Sequence, residues 1–172
     1  MADARMPARH GLRGFTLIET VIAIGVIALL MSVALPSFGE MMARARLRGA
    51  AEDLAFGLGN ARLESLRPGA GLQHVTIQAG DSWCWASGPA PHADCRGSAP
   101  GANKLVHADE YPGVTMTEGT SLQFDGSQPL AGSTLAAVFV SAQGQTLRVH
   151  MTPLGRASIC AQDVRIADYP VC

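Results

Sequence analysis

One carboxylate lies at the edge of the least polar stretch of this sequence. Glu19 is followed by a run without charge, Thr20 to Gly39, and is preceded by three arginines, at positions 5, 9 and 13. An ionisable group in so apolar a segment is costly and usually has a specific partner. The chemistry that this pattern predicts is the pairing of charges.

The other reactive residue types do not form a catalytic pattern. The sequence has no Gly-x-Ser-x-Gly turn, no His-Glu-x-x-His pair and no phosphate-binding loop ending in Gly-Lys-Ser. Gly57 and Gly59 superficially resemble the start of a dinucleotide-binding loop, but they lie inside a helical pattern and follow no strand. We predict a protein that is not an enzyme and has no cofactor.

Four cysteines, Cys84, Cys95, Cys160 and Cys172, all follow the apolar stretch. An even number of cysteines in an exported domain predicts two disulfides, for which the sequence allows three pairings. Proximity favours the pairs 84 with 95 and 160 with 172. A zinc site that adds His92 or His107 is the alternative, but it lacks the close ligand pairs of such sites, so no metal is predicted.

The elements that position these residues begin with a long helix. Residues 15–36 are long and apolar enough to span a bilayer. Residues 37–67 continue as an amphipathic helix, with Ala51, Leu54 and Leu58 three or four positions apart. Residues 1–14 form a basic leader, whose removal changes the formal net charge from −1 to −3. Basic residues before a span predict that the rest of the chain is exported.

Residues 68–172 predict a β-rich head, because the helical period ends at Pro68-Gly69 and short alternating segments follow. The fold class is therefore α+β, with the second half of the helix packed on antiparallel strands. The predicted strands are seven segments: 72–79, 83–86, 104–107, 122–124, 135–142, 146–152 and 156–160. Residues 88–102 are rich in Gly, Pro, Ala and Ser and predict a surface loop.

The run Gly14-Phe15-Thr16-Leu17-Ile18-Glu19 resembles the processing site of type IV pilins and type II secretion pseudopilins. The resemblance implies a pilin-like fold, cleavage between Gly14 and Phe15 by prepilin peptidase, and N-methylation of Phe15. It also implies that Glu19 pairs with the terminal amine of a neighbouring subunit and that Pro36 bends or opens the helix. A single span in the bacterial inner membrane, a periplasmic head and later assembly with other pilins follow from the same resemblance.

The C-terminal half resembles the GspH/FimT branch of minor pilins and pseudopilins, through Phe124-Asp125-Gly126, Phe139-Val140-Ser141 and the closing run from Gly155-Arg156 to Cys160. This resemblance implies a minor pilin of a type IV pilus, acting at initiation or near the tip. The alternative is pseudopilin H of a type II secretion system.

DNA binding during natural transformation is a second alternative, because some FimT-like proteins bind DNA at the closing Gly-Arg element. The candidate residues are Arg148, Arg156 and Arg165. Ser158, however, replaces a second arginine of the DNA-binding members. From residue 68 onward, five basic residues face eight acidic ones, which is unfavourable for phosphate binding.

Overall fold

The computed structural model describes residues 15–127, 134–162, 166 and 169–172. The chain divides into two units, Met1–Phe38 and Gly39–Cys172. Helix α1 is Leu17–Ser65. A short 3₁₀ helix, Ala108–Glu110, follows the third strand. The strands are β1 Gln73–Gln78, β2 Cys84–Gly88, β3 Lys104–His107, β4 Val114–Gly119, β5 Leu122–Phe124, β6 Thr134–Ser141, β7 Thr146–Met151 and β8 Ala157–Ala161.

The described part of the first unit, residues 15–38, is the exposed apolar start of α1. Its sequence is rich in Leu, Ile, Ala and Val, and nothing in it forces a helix end before Pro36. A proline removes one backbone donor and usually kinks or ends a helix. Here the helix continues through position 36 into the second unit.

The second unit contains two antiparallel sheets. The first has the strand order β3-β2-β1-β5, and the second has the order β4-β6-β7-β8. The backbone N–H of Gly80 donates to the carbonyl of Met116 at 2.8 Å, which links the two sheets. Bulges interrupt the β4–β6 and β6–β7 pairings. The α+β class predicted from the sequence is confirmed, since a long helix accompanies two antiparallel sheets.

The core of the second unit is built on one stripe of α1. Leu47, Leu54 and Leu58 are fully buried, and they share one apolar cluster with Trp85 of the first sheet and Phe139 of the second. Burying a leucine contributes about 1.5–3 kcal/mol. Both sheets therefore gain their stability from contact with the same helical face.

The predicted strands match the observed ones closely, but β4 was missed. The segment Val114–Gly119 carries a visible alternation, because Val114 and Met116 are buried whereas Thr115 and Thr117 are less so. Gly113 precedes the strand and Gly119 ends it, and glycine is depleted in strands. The alternation was the signal that could have identified this strand.

Gly57 lets the helix approach the first sheet closely. A methyl group built on Gly57 would lie 2.5 Å from two ring carbons of Trp85. The same group on Gly59 would meet nothing within 4 Å. Glycine is unfavourable inside a helix, so position 57 carries it because the indole leaves no room for a side chain.

The substitution Gly57→Ala should therefore lower the free energy of unfolding, whereas Gly59→Ala should raise it. Alanine gains about 0.5–1 kcal/mol of helix propensity at either site. At position 57 the clash with Trp85 adds a cost of about 1–3 kcal/mol, as overpacking of a core does. Thermal unfolding of the two full-length variants, followed by circular dichroism, shows whether each substitution lowers or raises the stability. Equal stabilisation by both substitutions would contradict the close packing.

Candidate functional site

The first candidate site is the start of α1. The backbone N–H of Glu19 donates to Thr16 Oγ1 at 3.3 Å, and the N–H of Thr20 donates to the Thr16 carbonyl at 3.2 Å. Thr16 is therefore the N-cap, and its spacing from Glu19 is that of a capping box, of which this bond forms one half. The helix dipole favours a carboxylate in the first turn. Local physics thus fixes Glu19 at the N-terminal end of the helix.

The surface around Glu19 is apolar and exposed. Phe15 is 83% exposed, and most of the large apolar side chains of the first unit are more than half exposed. An 18-residue window of α1 has a mean hydropathy of 2.4 and none of it is buried. This part of α1 is long and apolar enough to cross a membrane, although a signal sequence has the same properties.

The predicted processing and assembly residues are placed only in part. Gly14 lies outside the described residues, and Phe15 directly precedes the cap. Within the described part of the chain, no basic side chain contacts the carboxylate of Glu19. The backbone at Pro36 is helical. The partner that the resemblance assigns to Glu19 belongs to another subunit, so a single chain does not test it.

All four cysteines are disulfide-bonded, Cys84 to Cys95 and Cys160 to Cys172. These are the two pairs that proximity in the sequence favours. The first disulfide fastens the loop after β2, where Cys95 is fully buried. The second joins β8 to the C-terminal residue. Because no thiol is free, the cysteines cannot supply thiolate ligands to zinc.

Two of the three predicted DNA-binding arginines, Arg148 and Arg156, lie among the described residues. Arg148 lies on β7 opposite Cys160, and its buried Nε has no hydrogen-bond partner among the described residues. Arg156 is exposed and lines a groove between α1 and β8 that does not include Arg148. Arg165 lies outside the described residues.

The groove that contains Arg156 is the second candidate site. We call it the β8 groove. It has a volume of about 1160 Å³ and is bordered by the second half of α1, the turn before β8 and the C-terminal tail. Gly155 in that turn has a φ of +75°, and a Cβ there would lie 3.1 Å from Arg62 Nε. The Gly-Arg pair thus owes its glycine to a left-handed turn packed on Arg62.

The tail is held against α1 by Tyr169. Its hydroxyl donates to Glu52 Oε1, and the Arg48 guanidinium lies 5.5 Å from the centre of its ring. Burial, and then the hydrogen bond to Glu52, raise the pKa of the Tyr169 phenol. Sequence reasoning missed this contact, because 117 residues separate the two partners and no local pattern links them.

Comparison with known proteins identifies one feature. The model of the prokaryotic N-terminal methylation motif matches residues 9–35. A search of curated proteins and a search of solved structures each returned no match. The matched motif, together with the exposed apolar helix that follows it, supports a type IV pilin-like protein. The motif also suggests a structural, non-enzymatic role. It implies processing by prepilin peptidase and assembly with other pilins. Together with the apolar helix, it fits anchoring in a membrane.

We expect Tyr169→Phe to lower the free energy of unfolding by about 1 kcal/mol at neutral pH, the usual value of one hydrogen bond. The raised pKa means that the folded state binds the phenolic proton more tightly. The hydrogen bond therefore contributes fully to the free energy of unfolding below a pH of about 10, the pKa of the phenol in the unfolded chain. This contribution is lost as the pH rises through the pKa of the phenol in the folded protein. Thermal unfolding of the wild type and of Tyr169→Phe, measured from neutral to alkaline pH, should show the difference in stability between them becoming smaller as the pH rises. A difference independent of pH would contradict the assignment.

Proposed function

We propose that this protein is a minor pilin of the FimT/FimU kind. Cleavage between Gly14 and Phe15 and methylation of Phe15 would prepare it for assembly into a type IV pilus, at initiation or near the tip. Before assembly, α1 would anchor it in the inner membrane with the head in the periplasm. The observation that carries the proposal is the methylation motif over residues 9–35, joined directly to an exposed apolar helix.

Charge pairing supports the assembly role of Glu19. A carboxylate facing hydrocarbon costs several kcal/mol unless it is paired or reaches water. Removal of the leader creates a terminal amine at Phe15, and the same amine on a neighbouring subunit would compensate Glu19. The free energy of an apolar helix changes little when protein neighbours replace its lipid neighbours. The pairing therefore gives assembly a preferred register.

Pseudopilin H of a type II secretion system is the alternative, since the same motif and helix would serve it equally. Deleting the gene distinguishes the two. Loss of surface pili supports the minor pilin, and loss of extracellular protein release with intact pili supports the pseudopilin. DNA binding is a weaker candidate, because acidic residues outnumber basic ones from residue 68 onward.

The amino terminus tests the processing step. Intact and peptide mass spectrometry of the protein from its native membrane should find a methylated Phe15 as the first residue. The variant Gly14→Val should retain Met1, because it lacks the glycine after which the peptidase cleaves. A wild-type chain that keeps Met1, or one cut well beyond Leu35, would refute the proposed maturation.

The substitution Glu19→Ala should leave cleavage intact and greatly reduce the share of mature protein in sheared filaments. Glu40→Ala is the matched control. Glu40 is also an exposed helical carboxylate, but it lies beyond the apolar run and pairs with Arg44 at 3.4 Å. Such an exposed ion pair contributes little to stability, so the Glu40→Ala variant should assemble normally. Normal filament incorporation of Glu19→Ala would remove the role we assign to this carboxylate.

A further inference from the structure

Strand β8 forms one edge of the second sheet, and residues 169–172 bond to only part of it. β8 is the last strand in the order β4-β6-β7-β8. The N–H of Thr152 donates to the Arg156 carbonyl at 2.9 Å, and the N–H of Gln162 donates to the Thr146 carbonyl at 3.3 Å. In an antiparallel ladder, such bonded pairs alternate with non-bonded ones. The odd-numbered residues 157, 159 and 161 therefore direct their backbone N–H and C=O away from β7.

The C-terminal tail pairs with the last of these three residues. The N–H of Ala161 donates to the Pro170 carbonyl at 2.8 Å, and its carbonyl accepts from the N–H of Cys172 at 2.9 Å. These bonds form a parallel bridge between Ala161 and Val171. The next bond of a parallel ladder would run from the N–H of residue 170 to the carbonyl of Ile159, but proline has no N–H. The tail therefore gives the carbonyl of Ile159 no partner at Pro170.

Two residues of the edge thus have backbone groups left to bond. Within the described part of the chain, the carbonyl of Ile159 and both backbone groups of Ala157 have no protein partner. Both residues are partly exposed and line the β8 groove. An unpaired strand edge is a template for another extended segment.

The opposite wall of the groove is apolar and exposed. Phe56 and Leu63 on α1 are 69% and 65% exposed, and Leu154 in the turn before β8 is 93% exposed. Single exposed apolar residues are ordinary, but a group of them around one groove marks an interaction surface. An extended segment that bonds to Ala157 and Ile159 would place alternate side chains against these residues.

The charges in the groove specify the segment further. Arg62 and Arg156 both line the groove. The ion pairs among the described residues do not include Arg156. Glu52 is the acidic residue in the lining, and it already accepts the hydrogen bond of Tyr169. The groove therefore favours a carboxylate on its occupant.

We propose that the β8 groove binds an extended, apolar segment of a partner protein that carries a carboxylate. The segment adds as a strand to the edge at Ala157 and Ile159, packs on Phe56 and Leu63, and pairs its carboxylate with Arg156. This surface is distinct from the start of α1, so the proposal does not rest on processing of Phe15 or on the role of Glu19.

The test uses the full-length protein in lipid nanodiscs, with empty nanodiscs as the blank. The probe is a fluorescent peptide, acetyl-Val-Thr-Ile-Val-Glu-Val, and binding is measured by anisotropy. One comparison peptide has lysine in place of glutamate. Another is N-methylated at alternate backbone positions, which blocks hydrogen bonding to one neighbouring strand. We expect the glutamate peptide to bind and both comparison peptides to bind at least about tenfold more weakly, each tenfold corresponding to about 1.4 kcal/mol.

Two variants test the protein side. Ala157→Pro removes a donor that faces the free edge and leaves the bonds between β7 and β8 unchanged, so binding should fall about tenfold while thermal unfolding stays similar. Arg156→Glu should lower the affinity for the glutamate peptide and raise the affinity for the lysine peptide. Arg67→Glu is the control, because Arg67 is exposed on the segment just after α1 but is outside the groove lining. It should change neither affinity.

The proposal is overturned by three results. The first is equal affinity for the N-methylated peptide, which would reduce the groove to a non-specific apolar surface. The second is the absence of binding to the glutamate peptide. The third is self-association of the protein that Ala157→Pro abolishes, which would make a second copy the occupant.

Discussion

The head depends on the contact between one stripe of α1 and the two sheets. One apolar cluster joins α1 to both four-stranded sheets, so the helix supplies a surface on which both are buried. Leu54 and Leu58 lie at the centre of that contact, and Gly57 beside them allows Trp85 to reach the helix backbone. A side chain at this glycine would separate the first sheet from the layer that stabilises it.

The same helix has two different surfaces in its two halves. The apolar side chains described in the first unit are exposed, and in the second unit the apolar stripe is covered by strands. The change is visible in the sequence, because an unbroken apolar run gives way to apolar residues three and four positions apart. Thr16 and Glu19 fix where the helix begins, and Leu66-Arg67-Pro68 follows its end. A continuous helix through Pro36 joins a segment suited to lipid or protein neighbours with one suited to a protein core.

Much of this organisation could be predicted because it is local. The helical period, the alternation in segments such as 146–152 and the short separations between cysteines all report on neighbouring residues. The strand Val114–Gly119 was missed although Val114 and Met116 alternate with threonines. Contacts between distant segments left no local signal. The contacts of Tyr169 with Glu52 and of Gly155 with Arg62 depend on how the second sheet and the tail pack against the helix.

The bridge between Ala161 and Val171 has a consequence for how the head avoids aggregation. Uncovered strand edges recruit other chains without selectivity, and proteins shorten or cover them. The disulfide from Cys160 to Cys172 holds the tail on the end of β8. In a reduced chain, the tail lacks this covalent tether. Its departure would expose the backbone groups of Ala161 beside those of Ala157 and Ile159 that have no partner among the described residues. The disulfide thus limits the length of strand edge that β8 presents to other chains.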